Sequence, residues 1–259
     1  MVAKEADKPE VLHVELVDIR SALAAGWRDF LKAPHYGLFF ACFYVVGGWL
    51  VTWAVMAKGQ LWWTLPAATG FPILGPFVAC GLYEVSRRLE VGEKLDRREV
   101  FAVIFRQKDR QIPSMAAVIV VFFLFWNFLS HMIFALFLGN ATLTNVSSSF
   151  AIFVTPEGMA MLAVGTAVGA IFSTLLFSLT VVSLPMLLER EVDFVTAMLT
   201  SLEVVKESPL VLLGWGAFIA VCLFAAMLPG FLGLFIALPV LGHATWHLYR
   251  RAVAWGGAE

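Results

Sequence analysis

The stretch Ser114–Leu138, SMAAVIVVFFLFWNFLSHMIFALFL, decides the architecture. Its 25 residues hold one ionisable side chain, His131, and as a helix rising 1.5 Å per residue they reach about 38 Å, more than the roughly 30 Å hydrocarbon core of a bilayer. Apolar and polar residues do not alternate along it, so it is no strand of a transmembrane barrel. Five further stretches share the character: 37–57, 66–86, 159–188, 210–228 and 230–249. The sequence therefore predicts an all-α, polytopic membrane protein with six transmembrane helices.

Composition agrees. Of 259 residues 60% are hydrophobic and 14% charged, at a mean hydropathy of +0.84. That is more apolar surface than one globular core can hide, which excludes a water-soluble monomer and makes the lipid bilayer the first partner. A net charge of -1 lacks the basic excess that nucleic-acid binding requires. Cys42, Cys80 and Cys222 lie in apolar runs and are odd in number, against a disulfide framework or a thiolate metal site. The first span lies behind the charged segment Lys4–Arg28, too far from Met1 for a cleaved signal peptide, so it is expected to stay in the mature protein.

Charge sets the expected orientation. Seventeen of the eighteen Lys and Arg fall before the first span, in 87–112, in 189–208 or after 249, leaving Lys58 alone on the other side. The loop 139–157 holds none, and by the positive-inside rule both termini are cytoplasmic. Residues 1–17 read as a disordered tail, 18–251 as one membrane domain and 252–259 as a second tail.

Each pair of spans follows a segment with helical periodicity that reads as interfacial. In the first, Ile19, Leu23, Trp27, Phe30 and Leu31 form an apolar stripe, with Arg20, Arg28 and Lys32 on other faces. The second opens at Asp96 with Glu99 three residues on, as in a capping box, and carries Val100, Ile104 and Phe105. The third opens at Asp193 and carries Val195, Met198, Leu199, Leu202 and Val205. The three segments end at Pro34, Pro113 and Pro209, with Asp18 and Asp193 each sixteen residues before their proline and Asp96 seventeen. Pro66, Pro76 and Arg87-Arg88 recur at the same intervals as Pro229, Pro239 and Arg250-Arg251, pairing Gly70 with Gly233, Gly81 with Ala244, Tyr83 with Trp246 and Glu84 with His247. The middle copy keeps Pro185 and ends at Glu189-Arg190. We read three parallel units, about 18–92, 96–190 and 193–251, and not the inverted repeats common in secondary transporters.

Ionisable groups within membrane segments are costly, so they head the candidates: Glu84, His131, Glu189, His243 and His247. Glu84 and Glu189 stand near interfacial arginines and read as ion-pair partners, Glu84 of Arg87 or Arg88 and Glu189 of Arg190. His243 and His247, at i and i+4, share a helix face that a metal or haem can use, with Glu84 as a third weak candidate ligand. Packing and hydrogen bonding are the plainer role, and no cofactor is expected. Ser173, Ser178 and Thr180 add polar atoms to the fourth span, where Gly165, Gly169 and Ser173 make a small-residue stripe. Pro72 and Pro76 should kink the second span. Trp62 and Trp63 read as interfacial anchors, and Asn140-Ala-Thr142 and Asn145-Val-Ser147 match glycosylation acceptors.

The words Gly26-Trp27-Arg28-Asp29-Phe30, Ala33-Pro34, Tyr36-Gly37-Leu38, Gly70-Phe71-Pro72, Gly75-Pro76-Phe77, Gly81-Leu82-Tyr83-Glu84 and Ser86-Arg87-Arg88 resemble a bacterial family of integral membrane proteins, domain of unknown function family 2189. The resemblance implies a multi-pass fold in the bacterial inner membrane, over all six spans. Some members carry a cytochrome c oxidase label, although no function is established for the family. A catalytic haem-copper subunit needs a large set of histidine ligands. This chain has five histidines, of which His13 and His35 precede the first span, so it is not that subunit. The expected function is a non-enzymatic scaffold or an accessory or assembly factor of a membrane complex, with other membrane proteins such as respiratory subunits as partners. The alternatives are a transporter or channel for a small solute, and a haem- or metal-binding membrane protein.

Overall fold

A computed structural model describes residues 9–58, 64–107, 110–139 and 153–255. In chain order the elements are β1 (Pro9–Val11), α1 (Leu16–Lys32), α2 (Pro34–Lys58), α3 (Thr64–Val91), α4 (Arg97–Gln107) and α5 (Ile112–Leu138). There follow α6 (Pro156–Thr180), α7 (Ser183–Glu189), α8 (Phe194–Glu207), α9 (Pro209–Met227), α10 (Leu234–Ala252) and β2 (Val253–Trp255). Prolines begin the long helices: α2 opens at Pro34, α6 at Pro156 and α9 at Pro209, while Pro113 is the second residue of α5. In a first turn the missing N–H would have had no partner anyway. Short helices open on carboxylates, with Asp193 accepting from Thr196 N at 2.9 Å before α8 and Asp96 from Arg98 N at 2.9 Å before α4.

Among the described residues four helical segments are long and apolar enough to cross a membrane: Pro34–Trp53, Ile112–Leu138, Pro156–Glu189 and Pro209–Met227. α3 and α10, whose last turns are polar, are not among the four. α3 stays helical through Pro72 and Pro76. α10 begins four residues later than the expected span, after a turn in which Gly230 and Phe231 have φ of 63° and 68°.

The six long helices close on themselves. α2 packs on α3, α3 on α5, α5 on α6, α6 on α9, α9 on α10 and α10 back on α2. The short helices fill the rim, α1 against α10, α4 against α3, and α8 against α6 and α7. β1 pairs antiparallel with β2, Pro9 opposite Trp255 and Val11 opposite Val253, which gathers both ends of the described chain on one face, the terminal face. Residues 9–17, read as tail from the sequence, thus carry a strand, a fully buried Val14 and the start of α1. The main core lies at this face, where Ala22, Met186, Ala197, Leu212, Trp215, Trp246 and Tyr249 pack together. A second cluster joins Tyr36, Phe40, Leu82, Val85 and Val100. Trp53, Phe128, Leu136, Ile171 and Phe224 are exposed on the long helices, a surface suited to lipid.

α1 meets α10 differently from its sequence reading. A Cβ on Gly26 would lie 2.6 Å from Ala244 N and 2.8 Å from Val240 O. That approach selects the small face Ala22, Gly26 and Asp29, with Phe30, for the contact and turns Trp27 and Leu31 outward. The stripe expected to be one interfacial surface is therefore split between protein and exterior. Between α6 and α7 the helix breaks just before Pro185, and Ser201 of α8 repairs the break: its hydroxyl donates to Ser178 O at 2.7 Å and accepts from Val182 N at 3.1 Å. Trp62, Trp63, Asn140 and Asn145 lie outside the described residues, as do the side chains of Gly70, Pro72, Ile104 and Phe105.

Candidate functional site

The polar side chains converge at the terminal face, on the last turns of α3, α7 and α10 and the buried side of α1. Glu84 sits two turns before the end of α3, and its i+3 and i+4 neighbours are both arginines. Its Oε2 accepts from Arg87 Nε at 2.8 Å, and its Oε1 from Arg87 Nη2 at 3.0 Å and Arg88 Nε at 2.6 Å. Arg88 also donates to Lys94 O at 3.2 Å, and Arg87 to Glu93 at 3.1 Å. Both carboxylate oxygens of Glu84 are thus occupied, within a side chain 4% exposed.

A second group joins α1, α3 and α10. Asp29 is 6% exposed and accepts from His247 Nε2 at 2.7 Å. Burial pulls the Asp29 carboxyl up, yet hydrogen bonds from His247 and Ser86, with the fields of His247 and His243, leave it below the usual carboxylate value. Ser86, fully buried, lies 2.8 Å from His243 Nδ1. Donation from Ser86 to Asp29 and from His243 Nδ1–H to Ser86 pairs Asp29, Ser86 and the Nδ1 edge of His243; this assigns the imidazole proton to Nδ1. Nε2 of His243 is then a buried acceptor without a hydrogen-bond partner.

A third group ties α10 to α3, α7 and β2. Trp246 Nε1 donates to Glu90 at 2.8 Å and Arg250 Nε donates to the same carboxylate at 3.1 Å. Arg250 Nη1 donates to Glu189 at 2.8 Å, Tyr249 donates its hydroxyl to Glu189, and Trp255 Nε1 donates to Tyr249 at 3.2 Å. Glu189 therefore pairs with Arg250 and not with its neighbour Arg190, whose guanidinium lies 5.0 Å over the Trp255 ring. Arg190 caps α7 with extended backbone, φ -123° and ψ 153°, and its side chain goes to Trp255, so the expected pairing with Glu189 fails.

The three weak metal candidates go to different partners: Glu84 to arginines, His247 to Asp29 and His243 to Ser86. Among the described residues no three His, Cys, Asp or Glu side chains gather as a metal site. His131 is exposed on α5 and its Nδ1 lies 2.8 Å from its own helix's Asn127 O. Ser173 lies in a groove of about 270 Å³ between α5 and α6, whose other walls include Phe122, Phe123, Trp126, Gly169 and Phe172. Gly169 admits the Trp126 ring, which would stand 3.0 Å from a Cβ there, whereas Gly165 has nothing within 4 Å. Ser178 and Thr180 donate back to helix carbonyls, Thr174 O and Leu176 O.

Sequence reading missed Asp29, Ser86, Glu90 and Tyr249. One signal for Asp29 was present, since Ala22, Gly26 and Asp29 recur at i, i+4 and i+7, a small-residue seam that marks the contact face.

Residues 64–189 match the family model described as "Predicted integral membrane protein (DUF2189)". The match runs from α3 to α7 and includes the words from Gly70 to Arg88, while the words from Gly26 to Leu38 precede it. Neither a curated protein nor a solved structure matches the chain.

Proposed function

Proceeding from that family match, we propose that the chain is a six-span scaffold or accessory protein of a membrane complex, built from three parallel units and performing no catalysis itself. The observation that carries the reading is the internal pairing of its functional-looking groups: Glu84 with Arg87 and Arg88, Asp29 with His247, Ser86 with His243, and Glu90 and Glu189 with Arg250. Such a network fixes helix ends and leaves the apolar outer faces as the surfaces that meet lipid and other proteins. The threefold organisation is supported by the packing order, in which each short helix lies on the last helix of the unit before it, α4 on α3, α8 on α6 and α7, and α1 on α10. With the charge count, this favours termini in the cytoplasm of a bacterial cell and residence in the inner membrane. Association with respiratory subunits is one form such a role takes.

Two experiments test this. Reporter fusions after Arg110, Glu207 and Glu259 are expected to be cytoplasmic, and fusions at Gln60 and Asn145 exported; an exported signal at Arg110 overturns the topology and the units with it. Mild extraction from native membranes followed by mass spectrometry is expected to recover the same membrane-protein partner in constant stoichiometry. Migration of the chain alone under every mild condition overturns the scaffold reading.

A further inference from the structure

We propose that the outward face of α1 is a binding surface for anionic phospholipid headgroups. Both ends of α1 are fixed at points where the chain meets apolar helices. At its C-terminus Ala33 leads directly into Pro34, the start of a segment able to cross the membrane. Just before its N-terminus, Val14 N donates to Ser208 Oγ at 2.8 Å, and Ser208 immediately precedes Pro209, the start of another such segment. A 17-residue helix pinned between the starts of two such segments lies along the surface from which they depart, near headgroup level.

The composition of its free face fits that position. The side facing α10 is sealed by Ala22, Gly26, Asp29 and Phe30. On the other side Leu16, Val17, Trp27 and Leu31 are 58%, 59%, 46% and 59% exposed, and Arg20, Arg28 and Lys32 stand exposed among them. Elsewhere at this end of the protein Arg87, Arg88, Arg110, Arg250 and Arg251 are each matched to a carboxylate. Among the described residues Arg20, Arg28 and Lys32 have no such match, which is also true of Arg97, Arg98 and Lys206, but on α1 the three share one exposed helix face. Three unmatched cations interleaved with Trp and aliphatic side chains complement a layer where phosphates lie within a few ångströms of hydrocarbon. An acidic protein segment would satisfy the cations but has no need of four apolar side chains between them.

The test uses the full chain in nanodiscs of phosphatidylcholine mixed with phosphatidylglycerol, counting lipids retained after extraction by native mass spectrometry. The wild type is expected to retain phosphatidylglycerol in preference to phosphatidylcholine, with the preference falling as NaCl is raised toward 1 M. At roughly fivefold per basic residue at low salt, Arg20→Gln, Arg28→Gln and Lys32→Gln combined should cut the preference by at least about tenfold, while Lys206→Gln on α8 leaves it unchanged. Arg20→Lys with Arg28→Lys should retain it. All these positions are exposed, so a normal thermal transition in each variant separates lost lipid binding from lost folding. Equal retention by wild type and triple variant, or a preference insensitive to salt, overturns the proposal. So does an acidic protein co-purifying on this face with no lipid preference.

Discussion

Replacing Gly26 by alanine adds one methyl group at the crossing of α1 and α10, where backbone meets backbone. Its Cβ would meet Ala244 N at 2.6 Å, Val240 O at 2.8 Å and Ala244 Cα at 2.9 Å, all backbone atoms that no rotamer change can clear. Restoring ordinary contact requires α1 to withdraw from α10 by roughly 0.5–0.8 Å, and overpacking of this kind costs about 1–3 kcal/mol. The same withdrawal stretches the 2.7 Å bond between His247 and Asp29 beyond good geometry, at a further cost of about 1–2 kcal/mol for a hydrogen bond to a charged group. Against this, alanine gains about 1 kcal/mol of helix propensity over glycine. The net loss is about 1–4 kcal/mol, or roughly 2–16 °C in Tm for a domain of this size. Thermal unfolding in mild detergent measures it, with Gly165→Ala as the control, because nothing lies within 4 Å of a Cβ there. Gly165→Ala is expected to match or exceed the wild type. A Gly26→Ala transition at or above the wild-type temperature would refute the close-packed α1–α10 seam.

Glu84→Gln leaves Arg87 and Arg88 facing a neutral amide; with Arg87 27% exposed and still near Glu93, the expected cost is about 3 kcal/mol, the low end for broken buried pairs. Denaturation in micelles reads it, and a loss under about 0.5 kcal/mol would mean the clamp is ornamental. Acid tests Asp29: its folded carboxyl is held below the usual value, so its stabilisation is present above about pH 4 and is lost as pH falls through the lower folded value. Asp29→Asn should therefore flatten the fall in stability between pH 5 and 3; an unchanged slope would show that the acid sensitivity lies elsewhere.

What the sequence disclosed was local. Bilayer length and apolarity mark Ser114–Leu138 without reference to any other part of the chain, and α5 covers 112–138. Pro34 and Pro209 mark helix starts by their own chemistry, and Asp193 its cap. The pairing of Glu84 with Arg87 and Arg88 was legible because three and four residues make one helical turn. What stayed hidden was distant in sequence: His243 reaches Ser86 across 157 positions, and no periodicity predicts it. The seam of α1 was misassigned for a related reason. Apolar periodicity ranks faces by hydrophobicity, whereas Gly26 chose its face by how near a backbone can come.

The closure of the helix ring by its last long helix has a consequence in time. Asp29 and His247 stand 218 positions apart, and at ribosomal rates of about 5–20 residues per second the imidazole is made about 10–45 s after the carboxylate. Until then α2 has no α10 to lean on, and the acidic flank of α1 faces an open gap while earlier hairpins are already inserted. A chain halted before residue 247 is therefore chemically marked as unfinished, by Asp29 without His247, Glu189 without Tyr249 and Arg250, and Asp18 without Arg251, beside an unsealed helix.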